Sequence, residues 1–459
     1  MDTNHTTQSK VKELPADIVV LGFTGTLGSG CTFFAEQLAR DQNLLYFELS
    51  QFLRKEYKKS GKKVETQEDL QKFGNQLRKK YGNDYLAKKA VERIEDEWEE
   101  GMNGVAISGI RNIGEIRFLR EIPLFFLVSI HADRDIRRKR LIKIKKVKSE
   151  EEFNKVDLRD ELERVSYGQQ VSLCNYEADI IINNSKNIPS VCKIKRANYI
   201  KEKLTDKYIS LIFAKFKSGE KVVEHTPSIR EVFMTCAYCE SSMSKCIKRK
   251  VGAIIANIDD NSEMERGFII SSGHNDVPEG TNPCIFDELY QKCARDDLQE
   301  KVAGNIKFCP SCGKKIKIEF KCDSCHKVIK KFLKNCPECN TELDTKYCCS
   351  ACNTDIFKNF VPGKNAGKLL DVCRSLHAEE NAIMNMVKNA STVDDNTVLF
   401  TTTFPCNLCA NKIAELGIKK VIYAEPYPME DAKKILNDRG IKCDKFEGVK
   451  SSAFFKLYH

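Results

Sequence analysis

The chain has 459 residues, a formal net charge of +10, 41% hydrophobic residues and 31% charged residues. This length exceeds one ordinary core and predicts two or three domains, while no apolar run approaches the length that crosses a bilayer, which argues against a helical membrane protein. The positive balance admits nucleic acid or nucleotide phosphates as partners, although scattered surface lysines give the same total.

Residues 1–14 are polar and lack the basic, apolar and small-residue succession of a secretory signal, so they read as a flexible tail and the protein as cytoplasmic. In that compartment the 21 cysteines, many of them in CxxC pairs, point to metal and not to disulfides. Next come an apolar run (Ile18 to Phe23), a Gly-rich turn, a helical stretch (Cys31 to Arg40) and a second apolar run (Leu44 to Leu49). Further runs at Val105 to Ile107, Pro123 to Ile130 and Ala178 to Ile182 alternate with charged, helix-favouring segments. Strand, loop, helix and strand in that succession predict a parallel α/β sheet over residues 15–220.

The turn reads Gly25-Thr26-Leu27-Gly28-Ser29-Gly30-Cys31-Thr32, between a strand and a helix. Glycines there let backbone N–H groups turn inward, and the helix start attracts anions, so these residues are candidates for holding a nucleotide's phosphates. The lysine of such loops is replaced by Cys31, while Thr32 keeps a hydroxyl suited to Mg2+, so binding is expected to outlast efficient phosphoryl transfer. The region resembles the P-loop nucleoside-monophosphate kinases. Ser108-Gly109-Ile110-Arg111-Asn112 is similar to a segment that in such enzymes begins with an acidic metal partner, here Ser108. The basic stretch Arg134 to Lys148 reads either as a phosphate-facing lid or as a solvated helix face.

Polar, breaker-rich Lys217 to Pro227 is the expected linker to a second α/β unit over residues 228–459, which opens with a helix near Ile229 to Lys245 and strands near Val251 to Ile258 and Gly267 to Ser272. Inside it, residues 304–355 carry four pairs, Cys309/Cys312, Cys322/Cys325, Cys336/Cys339 and Cys349/Cys352, enough ligands for two structural zinc ions. Sequential pairing would place the first four on one ion and the last four on the other, as in tandem zinc ribbons. An interleaved arrangement stays open, and Cys348 competes with Cys349. Lysines crowd this insert, so a nucleic-acid-facing surface and a mere brace are both open readings.

Two helices are predicted to begin at His377-Ala378-Glu379 and at Pro405-Cys406-Asn407-Leu408-Cys409. Helix starts favour thiolates, and three ligands, His377, Cys406 and Cys409, would leave a fourth tetrahedral position on a catalytic Zn2+ for water. Glu379 would carry protons. H-x-E followed by P-C-x-x-C is the established signature of zinc deaminases.

On these residues the second unit resembles the deoxycytidylate deaminases. The likeness extends to Cys246 to Ile255, to Gly273-His274-Asn275-Asp276-Val277-Pro278-Glu279-Gly280 and to Leu416 to Tyr423. It implies a cytidine-deaminase-like α/β/α domain with a zinc-ribbon-like insert, contact of Asn275 with the sugar hydroxyl, and assembly of several copies, a hexamer by family habit. Joined to the kinase-like part, the chain resembles the bacterial antiviral deoxycytidylate deaminases, which implies depletion of dCTP and dCMP pools in phage defence. The leading expectation is hydrolytic deamination of dCMP or dCTP, regulated by ATP or another nucleotide at the N-terminal domain. The rivals are a polynucleotide deaminase guided by the insert and a nucleotide-sensing regulator.

Overall fold

The computed structural model describes residues 17–59, 66–144, 146–161, 165–185, 193–218, 226–259, 266–286, 373–426 and 430–459, with a few isolated positions besides. The N-terminal sheet begins with β1 (Val20–Thr24), whose residues are all buried. The next elements are α1 (Cys31–Asp41), β2 (Leu44–Glu48), α2 (Leu49–Lys59), α3 (Gln67–Tyr81) and α4 (Tyr85–Glu97). Then come β3 (Gly104–Ile110), α5 (Ile113–Leu119), β4 (Phe125–His131), α6 (Arg134–Lys143), α7 (Glu150–Glu161), α8 (Val171–Tyr176) and β5 (Ile180–Asn183). Pairing of β1 with β3 and β4, of β2 with β3 and of β4 with β5 is parallel throughout.

Because successive strand residues face opposite sides, Leu21 and Phe23 join one core with Phe34 and Phe126, and Val20 joins another with Ile94 and Ile107. A sheet covered on both faces explains the nearly unbroken apolar strand sequences. The strand order, 5-4-1-3-2, reverses direction at β1. In such sheets the crevice beyond the carboxyl ends of the strands at the reversal is where ligands bind, and the glycine loop leaves β1 there.

A helical run follows, α9 (Lys193–Ile200) leading through wider π turns (Lys201–Ile209) into α10 (Ser210–Phe213), and then α11 (Ile229–Met243). The second sheet contains β6 (Gly252–Asp259) and β7 (Arg266–His274), and in the insert β8 (Phe320–Lys321) pairs antiparallel with β9 (Val328–Ile329). The remaining elements are α12 (Ala378–Lys388), β10 (Thr397–Thr403), α13 (Asn407–Leu416), β11 (Lys420–Glu425), α14 (Glu430–Asp438), β12 (Lys442–Lys445), β13 (Gly448–Val449) and α15 (Ser451–Tyr458). The second sheet runs β12-β11-β10-β6-β7, with β10, β11 and β12 mutually parallel.

One pairing has no local signal in the sequence. Strand β13 joins the N-terminal sheet antiparallel to β5, Gly448 opposite Ile181 and Val449 opposite Ile180. The Val449 N–H donates to Glu231 Oε1 at 2.8 Å, the Lys450 N–H to the Asp179 carbonyl at 2.8 Å, and Lys456 Nζ to the Pro123 carbonyl at 2.7 Å. Lys450, almost fully buried, donates to Glu425 Oε1 at 2.9 Å, and Tyr238 Oη donates to the same oxygen at 3.0 Å.

Candidate active site

Helix α12 begins after His377, whose N–H donates to Glu380 Oε2 at 2.7 Å. Of the two adjacent carboxylates, Glu380 therefore serves the helix start as a cap, while Glu379 is buried, 4% exposed. Helix α13 begins after Cys406, its N-cap, and Ala410 N–H closes the first turn on the Cys406 carbonyl at 2.8 Å. Cys406 and Cys409 are both buried. The ligand atoms of His377, Cys406 and Cys409 lie within 4.8 Å of one another, the spacing that a single tetrahedral ion spans.

Residues around α12 fix its position closely. Ser271 Oγ donates to the Ala382 carbonyl at 2.8 Å, Asn381 Nδ2 to the His274 carbonyl at 2.7 Å and Asn385 Nδ2 to the Ser272 carbonyl at 2.9 Å. At Gly273 a Cβ would stand 2.3 Å from Ala382 N and 2.7 Å from the Ala378 carbonyl oxygen, so the strand end and the helix meet backbone to backbone. In the sequence this glycine was visible only as the first residue of a turn motif.

Asn275 is buried, and its carboxamide is already engaged. Its Oδ1 accepts from Val251 N–H at 2.7 Å and its Nδ2 donates to the Arg249 carbonyl at 2.9 Å. The side chain thus staples its loop to the entry of β6, with one further N–H and one further lone pair left to it by the chemistry of the amide.

In the insert, Cys325, Cys336 and Cys339 bring their sulfurs within 4.8 Å of one another, Cys325 and Cys336 at 3.4 Å. One cysteine of the second pair meets both of the third, a combination that sequential pairing keeps apart. Cys309, Cys312, Cys322, Cys349 and Cys352 lie outside the described residues.

At the N-terminal sheet, the residues from Gly25 to Thr32 line a cavity of about 670 Å³ at the head of α1. Gly28 and Gly30 take φ of 85° and 100°, a region that side chains other than glycine's rarely enter, and Gly30 caps α1. Asp160, fully buried, accepts from Leu27 N–H at 2.7 Å and also pairs with Arg111, linking loop and β3 exit. Asn112 caps α5, its Oδ1 accepting from Gly114 N–H at 2.8 Å, and Ser108 Oγ shares a 2.9 Å hydrogen bond with Tyr46 Oη. Burial pushes the Cys31 thiol up to about 11, so at neutral pH it is a thiol and not a thiolate. Neither Asp160 nor Asn184, which clasps the loop through Ser29, carried a signal in the sequence.

A histidine and two cysteines able to hold one metal ion thus stand at two helix starts, and a glycine loop stands at the head of a parallel sheet. Residues 227–425 match the family model described as the cytidine and deoxycytidylate deaminase zinc-binding region. Relatives include the deoxycytidylate deaminase of Schizosaccharomyces pombe, 24% identical over 229 residues, which are 50% of this chain and 47% of that protein. That of Enterobacteria phage T4 is 29% identical over 192 residues, 42% and 75% of the two chains. A UPF0200 protein of Sulfurisphaera tokodaii is 30% identical over 170 residues, 37% of this chain and 89% of that one. The match thus spans about half the length of the S. pombe relative. The C-terminal part of the chain thus carries a cytidine and deoxycytidylate deaminase zinc-binding region, and its N-terminal part is similar to a UPF0200 protein.

Proposed function

We propose that the chain is a zinc-dependent hydrolase that converts dCMP to dUMP and ammonia. The observation that carries this reading is the gathering of His377, Cys406 and Cys409 at two helix starts, with buried Glu379 two residues beyond the histidine. The donor set suits zinc: one imidazole and two thiols, both cysteines in the first turn or cap of α13, where the helix dipole favours thiolate. When bound, zinc supplies a Lewis acid that makes a water nucleophilic near neutral pH.

The chain's own part is proton movement and orientation. Glu379 would accept the proton of the attacking water and deliver it to ring N3 of cytosine, then take the proton of the new C4 hydroxyl and pass it to the amine, which leaves as ammonia while C4 becomes the carbonyl of the uracil product. Serving as shuttle requires that its carboxylate not be a metal ligand. The Glu380 cap holds α12 in register so that His377 and Glu379 keep their relative positions. Asn275 orders the loop beside β6 and has capacity for a sugar hydroxyl.

The wider reading extends the substrate to dCTP, gives the N-terminal cavity a regulatory nucleotide, assigns structural zinc to the insert, and sets the activity in depletion of deoxycytidine nucleotides during phage infection. The first test is a substrate panel of dCMP, dCTP, CMP and cytidine, read by ammonia release from zinc-loaded protein. Turnover of dCMP is expected, and absence of turnover of either deoxynucleotide overturns the proposal. Glu379→Gln should abolish turnover while zinc content stays at the wild-type level; loss of metal in that variant would assign Glu379 to ligation instead.

A further inference from the structure

The cavity at the head of α1 lacks the loop lysine that ordinarily neutralises a nucleotide's terminal phosphates, yet it is strongly cationic. Arg111, Arg140, Lys143 and Lys146 all contribute to its wall, against Glu36 as the acidic residue among the lining. Three of these four cations come from α6 and the turn after it, and that helix is fastened to the glycine loop. Arg137, buried and paired with Asp157, donates from Nη1 to the Leu27 carbonyl at 3.1 Å. Arg140 Nη2 donates to the Asn184 carbonyl at 2.8 Å, and Asn184 Nδ2 in turn donates to the Ser29 carbonyl at 2.6 Å. Lys146 makes no ion pair among the described residues.

A second observation points to a ligand independently of the helix start. Ser29 lines the cavity and is fully buried, and its Oγ has no hydrogen-bond partner among the described residues. A buried hydroxyl left unsatisfied is unfavourable, and an acceptor oxygen in the cavity would satisfy it. The volume, about 670 Å³, exceeds what a lone phosphate needs and falls in the range of sites for nucleotide-sized ligands.

We propose that this cavity binds a nucleoside triphosphate whose phosphates are neutralised by Arg140, Lys143 and Lys146 from the α6 segment, in place of the missing loop lysine, and that the nucleotide is held without phosphoryl transfer. The inference rests on the phosphate-binding reading of the loop from Gly25 to Thr32. With the neutral Cys31 thiol at the lysine position and Ser108 engaged with Tyr46 at the exit of β3, the groups that would drive transfer are absent from their customary places. Cations on a helix beside the loop neutralise the ligand's charge but leave the terminal phosphate without its customary partner.

The experiment is calorimetric titration of the full zinc-loaded chain with ATP, dCTP and inorganic tripolyphosphate. Wild-type protein is expected to bind at least one of the nucleotides, more tightly than tripolyphosphate, and to return it intact. Lys146→Gln, which removes no hydrogen bond from the fold, should weaken binding about 10-fold or more, as should Arg140→Gln. Adding Cys31→Lys to Lys146→Gln should restore most of the loss, since it returns a cation to the loop. Binding in wild type with both glutamine variants within about 2-fold would overturn the assignment of the cations and leave the loop reading standing. No binding of any of the three probes would overturn both. Equal binding of tripolyphosphate and ATP would remove the nucleoside from the proposal, and steady release of inorganic phosphate would remove the claim that nothing is transferred. Deamination of dCMP by the same preparation is read separately, so its failure is not confused with any of these results.

Discussion

Gly273→Ala tests whether backbone contact between the end of β7 and α12 sets the active geometry. The added Cβ would lie 2.3 Å from Ala382 N, 2.7 Å from the Ala378 carbonyl oxygen and 2.8 Å from Asn381 C, all backbone atoms that no rotamer change can move aside. Relief to an ordinary contact of 3.4 Å requires the helix start and the strand end to separate by about 1 Å. His377 and Glu379 ride on that helix start. A misplacement of about 1 Å costs on the order of 100-fold in rate, and overpacking of this kind costs about 1–3 kcal/mol in stability. The assay pairs kcat for dCMP with zinc content and a denaturation midpoint. Gly74→Ala is the control: its Cβ would meet Leu53 at 3.4 Å, inside a helix, where alanine is favoured over glycine by up to about 1 kcal/mol. A folded, zinc-loaded Gly273→Ala protein with wild-type kcat would refute the reasoning.

Other expectations follow from the buried charges and the metal ligands. Lys450→Met should cost about 3–5 kcal/mol by leaving Glu425 buried with Tyr238 but without its close cation, and Lys450→Met/Glu425→Leu should recover most of that. The single tryptophan, Trp98, packs against the N-terminal core, so its fluorescence during urea unfolding reads the effect, and a shift under about 1 kcal/mol would count against it. Burial pushes the Lys445 ammonium down from its ordinary 10.5 to about 8. Between those values the unfolded chain holds more protons than the folded one, so this group makes stability rise with pH across that window. Lys445→Met should lack that rise, and an unchanged slope would refute the assignment. Chelation should remove dCMP turnover and added zinc restore it, while Cys406→Ser should lose both metal and turnover; turnover by metal-free protein would contradict the site.

Much of the architecture was legible because it is written locally. The apolar run at Val20–Thr24, the glycine turn and the amphipathic α1 declare themselves within a single stretch, as do the two helix starts that bear His377 and Cys406. What stayed hidden depends on partners remote in sequence. Nothing at Gly448–Val449 announces pairing with Ile180–Ile181, because two residues are too few for a periodicity and the partner strand lies in the other half of the chain. Asn184 and Asp160 reach the glycine loop only through the fold. The charge pattern of α6 likewise left open whether it faced water; Arg137 turns out to be buried against Asp157 and Arg140 to line the cavity. Spacing of the insert cysteines raised the expectation of metal binding without fixing which sulfurs meet.

The antiparallel pairing of β13 with β5 also bears on how the protein is made. During synthesis the five parallel strands β1–β5 are complete long before residues 448–449 emerge, so the outer edge of β5 presents unpaired N–H and C=O groups through most of translation. Such an edge invites pairing with another nascent chain until its own cover arrives. The ribosome delivers that cover only after β10, β11 and β12, so the strand that closes the N-terminal sheet is also a signal that the sequence has been made as far as β12.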